Sequence, residues 1–193
     1  MEIEIGTASG TRIEQILIEP RKEQTFTFKS DARPLLVNFD YAGTVIKELE
    51  FTKTTEELVY QLSHDQNVLG RIWALGEMNT RPRAESVPQA EKDQLSTEIA
   101  KALTNDAFWG MRVEAALALS GVPGDAARRA LLGATKDKKA AVRERAIMSL
   151  AATKDSSLAY VYKQFLTDER YAVIRAAALA LGQTPIVQQL STR

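Results

Sequence analysis

Four times along this chain an Asp is followed, six or seven positions on, by an Arg and then, three further, by an Ala. The four are Asp65 with Arg71-Ile72-Trp73-Ala74, Asp106 with Arg112-Val113-Glu114-Ala115, Asp137 with Arg143-Glu144-Arg145-Ala146, and Asp168 with Arg175-Ala176-Ala177-Ala178. From Arg to Arg the steps are about forty, thirty and thirty residues, a period that marks stacked helical hairpins. A unit of that size cannot bury its apolar face alone, so each must lean on its neighbours.

Each position in the phrase has a physical reason. The Asp precedes an apolar-periodic run, where its carboxylate can accept backbone N–H bonds and complement the helix dipole. The Arg lies further into the helix, where a guanidinium can reach the Asp of its own unit or of the next. The Ala allows a neighbouring helix to approach closely. Larger apolar residues continue the same face: Leu75 and Met78, Leu119, Ile147 and Leu150, and Leu179. This pattern resembles HEAT-type repeats. The four Arg could form an anion-binding row, but each is supplied with an Asp, so an internal Asp–Arg ladder is the favoured reading.

The remaining composition narrows the function classes. Lys and Arg together number 25 and so do Asp and Glu, so global charge gives no reason to expect nucleic acid or an anionic membrane as the main partner. There is no Cys, which removes disulfides, thiolate metal sites and Cys nucleophiles together. No apolar run is long enough to span a bilayer, and Met1-Glu2-Ile3-Glu4-Ile5 lacks the features of a signal peptide, so a soluble chain is expected. The compartment stays open between cytoplasmic and exported.

Along the chain the texture changes once. Before Thr54 apolar residues alternate: Ile3 and Ile5, Ile13 and Leu17, Phe26 and Phe28, then Leu35 to Phe39. Gly43 is placed to turn an antiparallel hairpin between Leu35–Phe39 and Thr44–Phe51. About five strands are expected, few for a free-standing sandwich, so this part is expected to be incomplete or to lean on helices. From Thr54-Thr55-Glu56-Glu57 the period becomes helical. The second helix is expected over Asn67–Met78, followed by a turn-rich insertion from Asn79 to Pro88. Three pairs follow: Ala90–Leu103 with Phe108–Leu119, Ala126–Ala134 with Ala140–Ala151, and Ser156–Leu166 with Ala172–Leu181. Thr184-Pro185 would cap a further helix begun by Ile186 to Leu190.

The expected fold class is therefore α+β: a small antiparallel β-sandwich-like part over residues 1–53, then an α-α superhelix of HEAT- or armadillo-like repeats over 54–193. The second part holds about four hairpins and the start of a fifth.

Catalytic constellations are nearly absent, and no catalytic or metal-ligating residue is assigned. The one histidine, His64, sits at a helix end, where a local polar contact is the expected role. Trp73 and Trp109 fall on the inner periodicity and are expected in the core. One cluster stands out. Arg128, Arg129, Lys136, Lys138, Lys139, Arg143 and Arg145 face only Asp137 and Glu144 over the same stretch. It is either a docking patch for an acidic surface or a solvated turn; without aromatic interleaving the second is favoured, and nucleic acid is not expected.

Phe26-Thr27-Phe28, Arg33-Pro34-Leu35-Leu36-Val37-Asn38-Phe39-Asp40, and Leu49-Glu50-Phe51-Thr52-Lys53 leading to Gln61-Leu62-Ser63-His64-Asp65 and Arg71-Ile72-Trp73-Ala74-Leu75 resemble the C-terminal region of aminopeptidase N-like zinc metallopeptidases. There a small β-sandwich joins the catalytic domain to a helical bowl. The resemblance implies a non-catalytic C-terminal piece capping an active site held elsewhere, with zinc in the parent protein and none in this chain. Its partners would be the missing N-terminal catalytic domain and the parent's peptide substrate, with no membrane. The family's His-Glu-x-x-His motif is absent here, so no catalytic residue carries over. Gly76-Glu77-Met78-Asn79 has only a scrambled likeness to the family's substrate loop and is rejected. The alternative is a self-contained HEAT-like protein-interaction scaffold.

Overall fold

The structure is a computed structural model that describes residues 1–81 and 86–184. The chain divides into two compact units, Met1–Ala74 and Leu75–Arg193. The division falls inside a helix, whereas the change of sequence texture lies at Lys53/Thr54.

In the first unit three strands form one antiparallel sheet in the order β2-β1-β3: β1 is Glu2–Thr7, β2 is Gly10–Gln15 and β3 is Leu36–Phe39. The central strand is buried on both faces, so its alternation of Ile and Glu does not mean alternation of core and solvent. Ile3 and Ile5 join Ile16 in an apolar cluster, with Phe28, Val37 and Phe39 packed against it. On the other face Glu4 lies opposite Asn38, and Gly6 opposite Leu36. Helix α1, Thr55–His64, packs near β3. Its start is a reciprocal capping box: Thr54 Oγ1 accepts from the Glu57 N–H, and the Thr54 N–H donates to the Glu57 carboxylate at 2.6 Å.

Among the described residues only these three strands form, and residues 24–28 and 44–51 are irregular. The expected hairpin between 35–39 and 44–51 is replaced by pairing of β3 with β1. Asp40 explains the difference. With φ near 56°, its carboxylate accepts from the Thr44 and Val45 N–H groups at 2.9 Å and from Lys47 Nζ at 2.7 Å. The amides a returning strand would offer to β3 are thereby already bonded, and the turn at Gly43 leads the chain away.

Helix α2, Val68–Thr80, spans the division between the units. The second unit continues with α3 (Gln89–Asn105), α4 (Trp109–Ala118), α5 (Asp125–Ala134), α6 (Ala140–Ala151), α7 (Ala159–Gln164) and α8 (Tyr171–Gly182). Helices α4, α6 and α8 pack side by side in one layer, with α3 and α5 beside each other behind them and α7 against α8. Ala115, Ala116, Ala146, Ala176 and Ala177 are fully buried in the first layer, small enough for the helices to approach closely. Leu95, Leu103, Met111, Leu119, Leu131, Ile147, Leu150 and Leu158 fill the space between the layers. Gly121 and Gly124 both take positive φ, which lets α4 stop and α5 start within a few residues. The helix expected over Ser156–Leu166 is divided, with 3-10 turns at Ser156–Leu158 and Phe165–Thr167 flanking α7. The Pro82–Glu85 part of the insertion and the helix start at Ile186–Leu190 lie outside the described residues. No described helix is long and apolar enough to cross a membrane.

Candidate functional site: three rows on a helical-repeat layer

The aspartates do not occupy the N-cap positions themselves. The caps are Phe108, Lys139 and Arg170, each two residues later. Asp106, Asp137 and Asp168 accept from the N–H groups of those three residues at 2.9, 2.7 and 2.9 Å, turning the chain into the helix from one step outside it. Asp65 does the same for Asn67 at 2.7 Å, and Asn67 in turn accepts from the Leu69 N–H. Offsets counted from these caps place equivalent residues of the repeats in rows.

The first row is a ladder. Arg112, four residues past its cap, reaches forward to the next repeat with two parallel bonds to Asp137, at 2.7 and 3.1 Å, and back to the Asp106 carbonyl at 2.8 Å. Arg143 repeats this geometry, with bonds of 3.0 and 2.8 Å to Asp168 and one of 3.0 Å to the Asp137 carbonyl. In both pairs the arginine is buried and the aspartate half-buried. Burial by itself raises the Asp137 carboxyl, but the guanidinium of Arg112 and the Lys139 N–H outweigh it and hold the group below the usual carboxylate range. Asp168 is held low first by Arg143.

Four of the eight ladder residues named from the sequence meet in these two rungs. Arg71 donates to the Asp65 carbonyl at 2.9 Å, the backbone half of the pattern. The Asp65 carboxylate instead accepts from Asn38 and Gln61, at 2.7 and 3.1 Å. Arg175 is not brought to an aspartate. It lies five residues past its cap, not four, a rotation of about 100° around the helix. There it is 59% exposed and bonds to Glu144 at 2.7 Å, while Ile174 occupies the ladder position.

The second row lies at the starts of the same three helices, from the turn before each cap to the first helical residue. It presents Phe108 and Trp109, then Lys138 and Lys139 with Lys136 beside them, then Arg170 and Tyr171. Phe108 and Trp109 are 41% and 42% exposed with ring centroids 5.8 Å apart, so Trp109 is at the surface and not in the core. The basic cluster read from the sequence is divided by the fold. Lys136, Lys138 and Lys139 lie on this edge, Arg143 is in the ladder, and Arg145 lies within α6. Arg128 is near the opposite end of α5, bonded to Asp155 and Ser157, and Arg129 is 3.8 Å from Asp125.

The third row lies nine residues past each cap: Leu117, Met148 and Leu179. Leu117 and Leu179 are exposed and Met148 half-buried. Leu179, expected to continue the apolar face of the phrase, is exposed here because Arg175, from which that face was counted, lies one residue past the ladder position.

In the first unit, separately, a buried polar cluster joins sheet and helix. Asn38 donates to Glu4 at 2.5 Å, and Gln61 donates to the Asn38 side-chain Oδ1 at 2.6 Å and to the Gly70 backbone carbonyl at 3.0 Å. Lys53 Nζ donates to the Val37 carbonyl and to Gln61 at 2.5 Å each, and sits 5.0 Å from the ring centres of Phe51 and Trp73. Burial lowers the Lys53 ammonium to about 8 and raises the Glu4 carboxyl. Asn38, Phe51, Lys53, Gln61 and Trp73 border a cleft of about 420 Å³. Gly70 is required beside it, because a Cβ there would stand 2.0 Å from the Asp65 carboxylate. The only signal was Gln61, a polar residue on the apolar stripe of Leu58 and Leu62. His64, by contrast, is exposed at the helix end and stacks on Tyr60 at 4.1 Å. Among the described residues no group of three or more His, Cys, Asp or Glu is placed to hold a metal ion.

The profile of the family described as HEAT repeats matches residues 96–184. Among solved structures, human deoxyhypusine hydroxylase in complex with glycerol is similar over 71% of this chain, with a TM-score of 0.58 and 21% identity. The match spans 45% of that protein, and at this identity the likeness shows the fold alone. No curated protein matches the sequence. These findings overturn the resemblance to an aminopeptidase N-like C-terminal region. Two of the segments that carried it, 26–28 and 49–53, form no strands, and the helical phrase belongs to repeats at large. The metallopeptidase activity and zinc that rested on it lose their support.

Proposed function

We propose that this chain is a HEAT-like protein-binding scaffold that works through the exposed side of the α4–α6–α8 layer. One observation carries the reading: the row of Leu117, Met148 and Leu179 places an apolar side chain at the same position of each helix, exposed on α4 and α8 and half-buried on α6. Beside it Glu144 and Arg175 pair with each other across α6 and α8, which removes a pair of charges that would oppose apolar docking. The ladder beneath fixes the helices, so little ordering cost accompanies binding. The similar solved structure is a hydroxylase, but the likeness extends to fold and not to chemistry.

Affinity purification of the tagged chain from its source cells tests this. A partner should be recovered in stoichiometric amount and should elute with the chain on gel filtration. Leu117→Asp with Leu179→Asp should lose it while keeping the helical circular dichroism spectrum. No partner with the native chain, or equal recovery with both, would refute the reading.

A further inference from the structure

The edge row differs from the apolar row in chemistry and in place. Nine helical residues separate them, about 14 Å along the axis. At and just before the three helix starts the edge presents an aromatic pair, then a cluster of cations, then a cation and an aromatic: Phe108 and Trp109; Lys136, Lys138 and Lys139; Arg170 and Tyr171, where Glu169 lies 3.7 Å from Arg170 and leaves the lysine turn as the cationic centre. Tyr171 is 82% exposed. The sequence separates these groups by about thirty residues each, and only the stacking of the repeats brings the aromatics to either side of the lysines. The ladder sets their spacing. Arg112 bonds both to the Asp106 carbonyl and to Asp137, and Arg143 both to the Asp137 carbonyl and to Asp168, so each turn is tied to the next by one guanidinium.

We infer that this edge binds an extended acidic peptide segment of a partner protein, with Lys138 and Lys139 facing its carboxylates and Trp109 and Tyr171 holding apolar side chains on either flank. This rests on the scaffold reading and gives the partner its chemistry. Neighbouring helices lie about 8–10 Å apart. From the first turn to the third is therefore about 16–20 Å, which an extended chain at about 3.3 Å per residue covers in about six residues. A segment of that length with acidic residues at its centre and aromatic or aliphatic residues at its ends matches the edge in charge and reach.

A single nucleic acid strand fits less well. It needs a cation near every phosphate along its track, but the first turn presents Asn105, Asp106 and Ala107 beside its aromatics. Its backbone would cross that turn without a counter-charge. The chain as a whole carries 25 basic and 25 acidic residues, so it has no general attraction for polyanions.

The test uses fluorescence anisotropy on the full chain with three labelled probes: a short peptide with a central Glu run between Trp-containing flanks, the same peptide with Gln for Glu, and oligothymidylate. The Glu peptide should bind, and the Gln peptide should bind at least about tenfold more weakly. Lys138→Glu with Lys139→Glu should weaken the Glu peptide by about tenfold or more. Lys138→Gln with Lys139→Gln, which puts no carboxylate beside Asp137, should weaken it in the same direction. Trp109→Ala and Tyr171→Ala should weaken both peptides. Equal binding of the Glu and Gln peptides, or indifference to the lysine variants, overturns the inference. So does tighter binding of oligothymidylate with a steep loss on adding salt, which assigns the edge to nucleic acid. A partner lost on Leu117→Asp with Leu179→Asp but retained by the lysine variants leaves the scaffold standing and removes the acidic segment. Absence of any partner removes the scaffold itself.

Discussion

Arg112 and Arg143 each bond in two directions at once, and that double engagement distinguishes them from surface ion pairs. A Lys could supply charge but not the planar fork that reaches a carboxylate twice and a backbone carbonyl once. Since each arginine is buried and its aspartate half-buried, deleting one partner leaves a partly desolvated charge uncompensated. Arg143→Ala should cost about 1.5–3 kcal/mol, the range for hydrogen bonds to a charged group. Asp168→Ala should cost a similar amount plus its contribution to the turn, because Asp168 also accepts from the Arg170 N–H. The double variant should then be less damaging than the sum, with a coupling of about 1–3 kcal/mol by urea denaturation. Additive losses would show that the rung contributes little. Arg175→Ala is the control: its bond to Glu144 is largely exposed, and its loss should stay below about 1 kcal/mol.

The helices were legible before the strands, for a reason visible in particular elements. In the repeat region each helix carries its own signals, and the expected Ala140–Ala151 matches α6 at both ends. Strand assignment depends on partners elsewhere in the chain. Gln24 to Phe28 has the alternation of a strand, yet its Phe28 enters the cluster around Ile3 and Ile5 from an irregular segment. Leu36–Phe39 is a strand, but its partner is β1, not the residues that follow it. The ladder positions were readable from spacing, except that Arg175 was aligned one residue out of phase. The polar cluster around Lys53 was not readable, because five residues from distant positions meet only in the fold. That cluster makes a pH prediction with a definite sign. The folded-state ammonium of Lys53 titrates near 8, below its unfolded value of about 10.4, so between those limits the unfolded state binds more protons and stability rises with pH. Lys53→Met removes this contribution. The native chain should gain stability relative to the variant from about pH 8 to pH 10 in parallel urea melts, whereas parallel pH profiles would show that Lys53 is not desolvated.

At the scale of the whole molecule, carboxylates held below their ordinary range recur at the turns: Asp40 in the first unit, and Asp137, Asp155 and Asp168 in the second. The sign is opposite to that of Lys53. A depressed carboxylate contributes stability that is fully present above its unfolded value of about 4 and is lost as pH falls through the lower folded value. Because helical repeats are stabilised mainly through nearest-neighbour contacts, losing Asp137 and Asp168 together should loosen adjoining repeats. The native chain should therefore lose stability steeply below about pH 4. Replacing one complete rung by apolar residues, Arg143→Met with Asp168→Leu, separates this effect from general acid denaturation. At neutral pH the replacement should come within about 2 kcal/mol of the native chain, since a buried pair and a well-packed apolar pair can be nearly equivalent. In acid it should lose less, because a depressed carboxylate is gone while those at Asp40, Asp137 and Asp155 remain. Urea midpoints at neutral pH and at about pH 3 measure both quantities. A replacement as acid-sensitive as the native chain would mean that the rungs do not govern acid unfolding. A replacement that unfolds at neutral pH would instead show that the bonds the pair makes to backbone, from Arg143 to the Asp137 carbonyl and from the Arg170 N–H to Asp168, are what hold the two turns in shape.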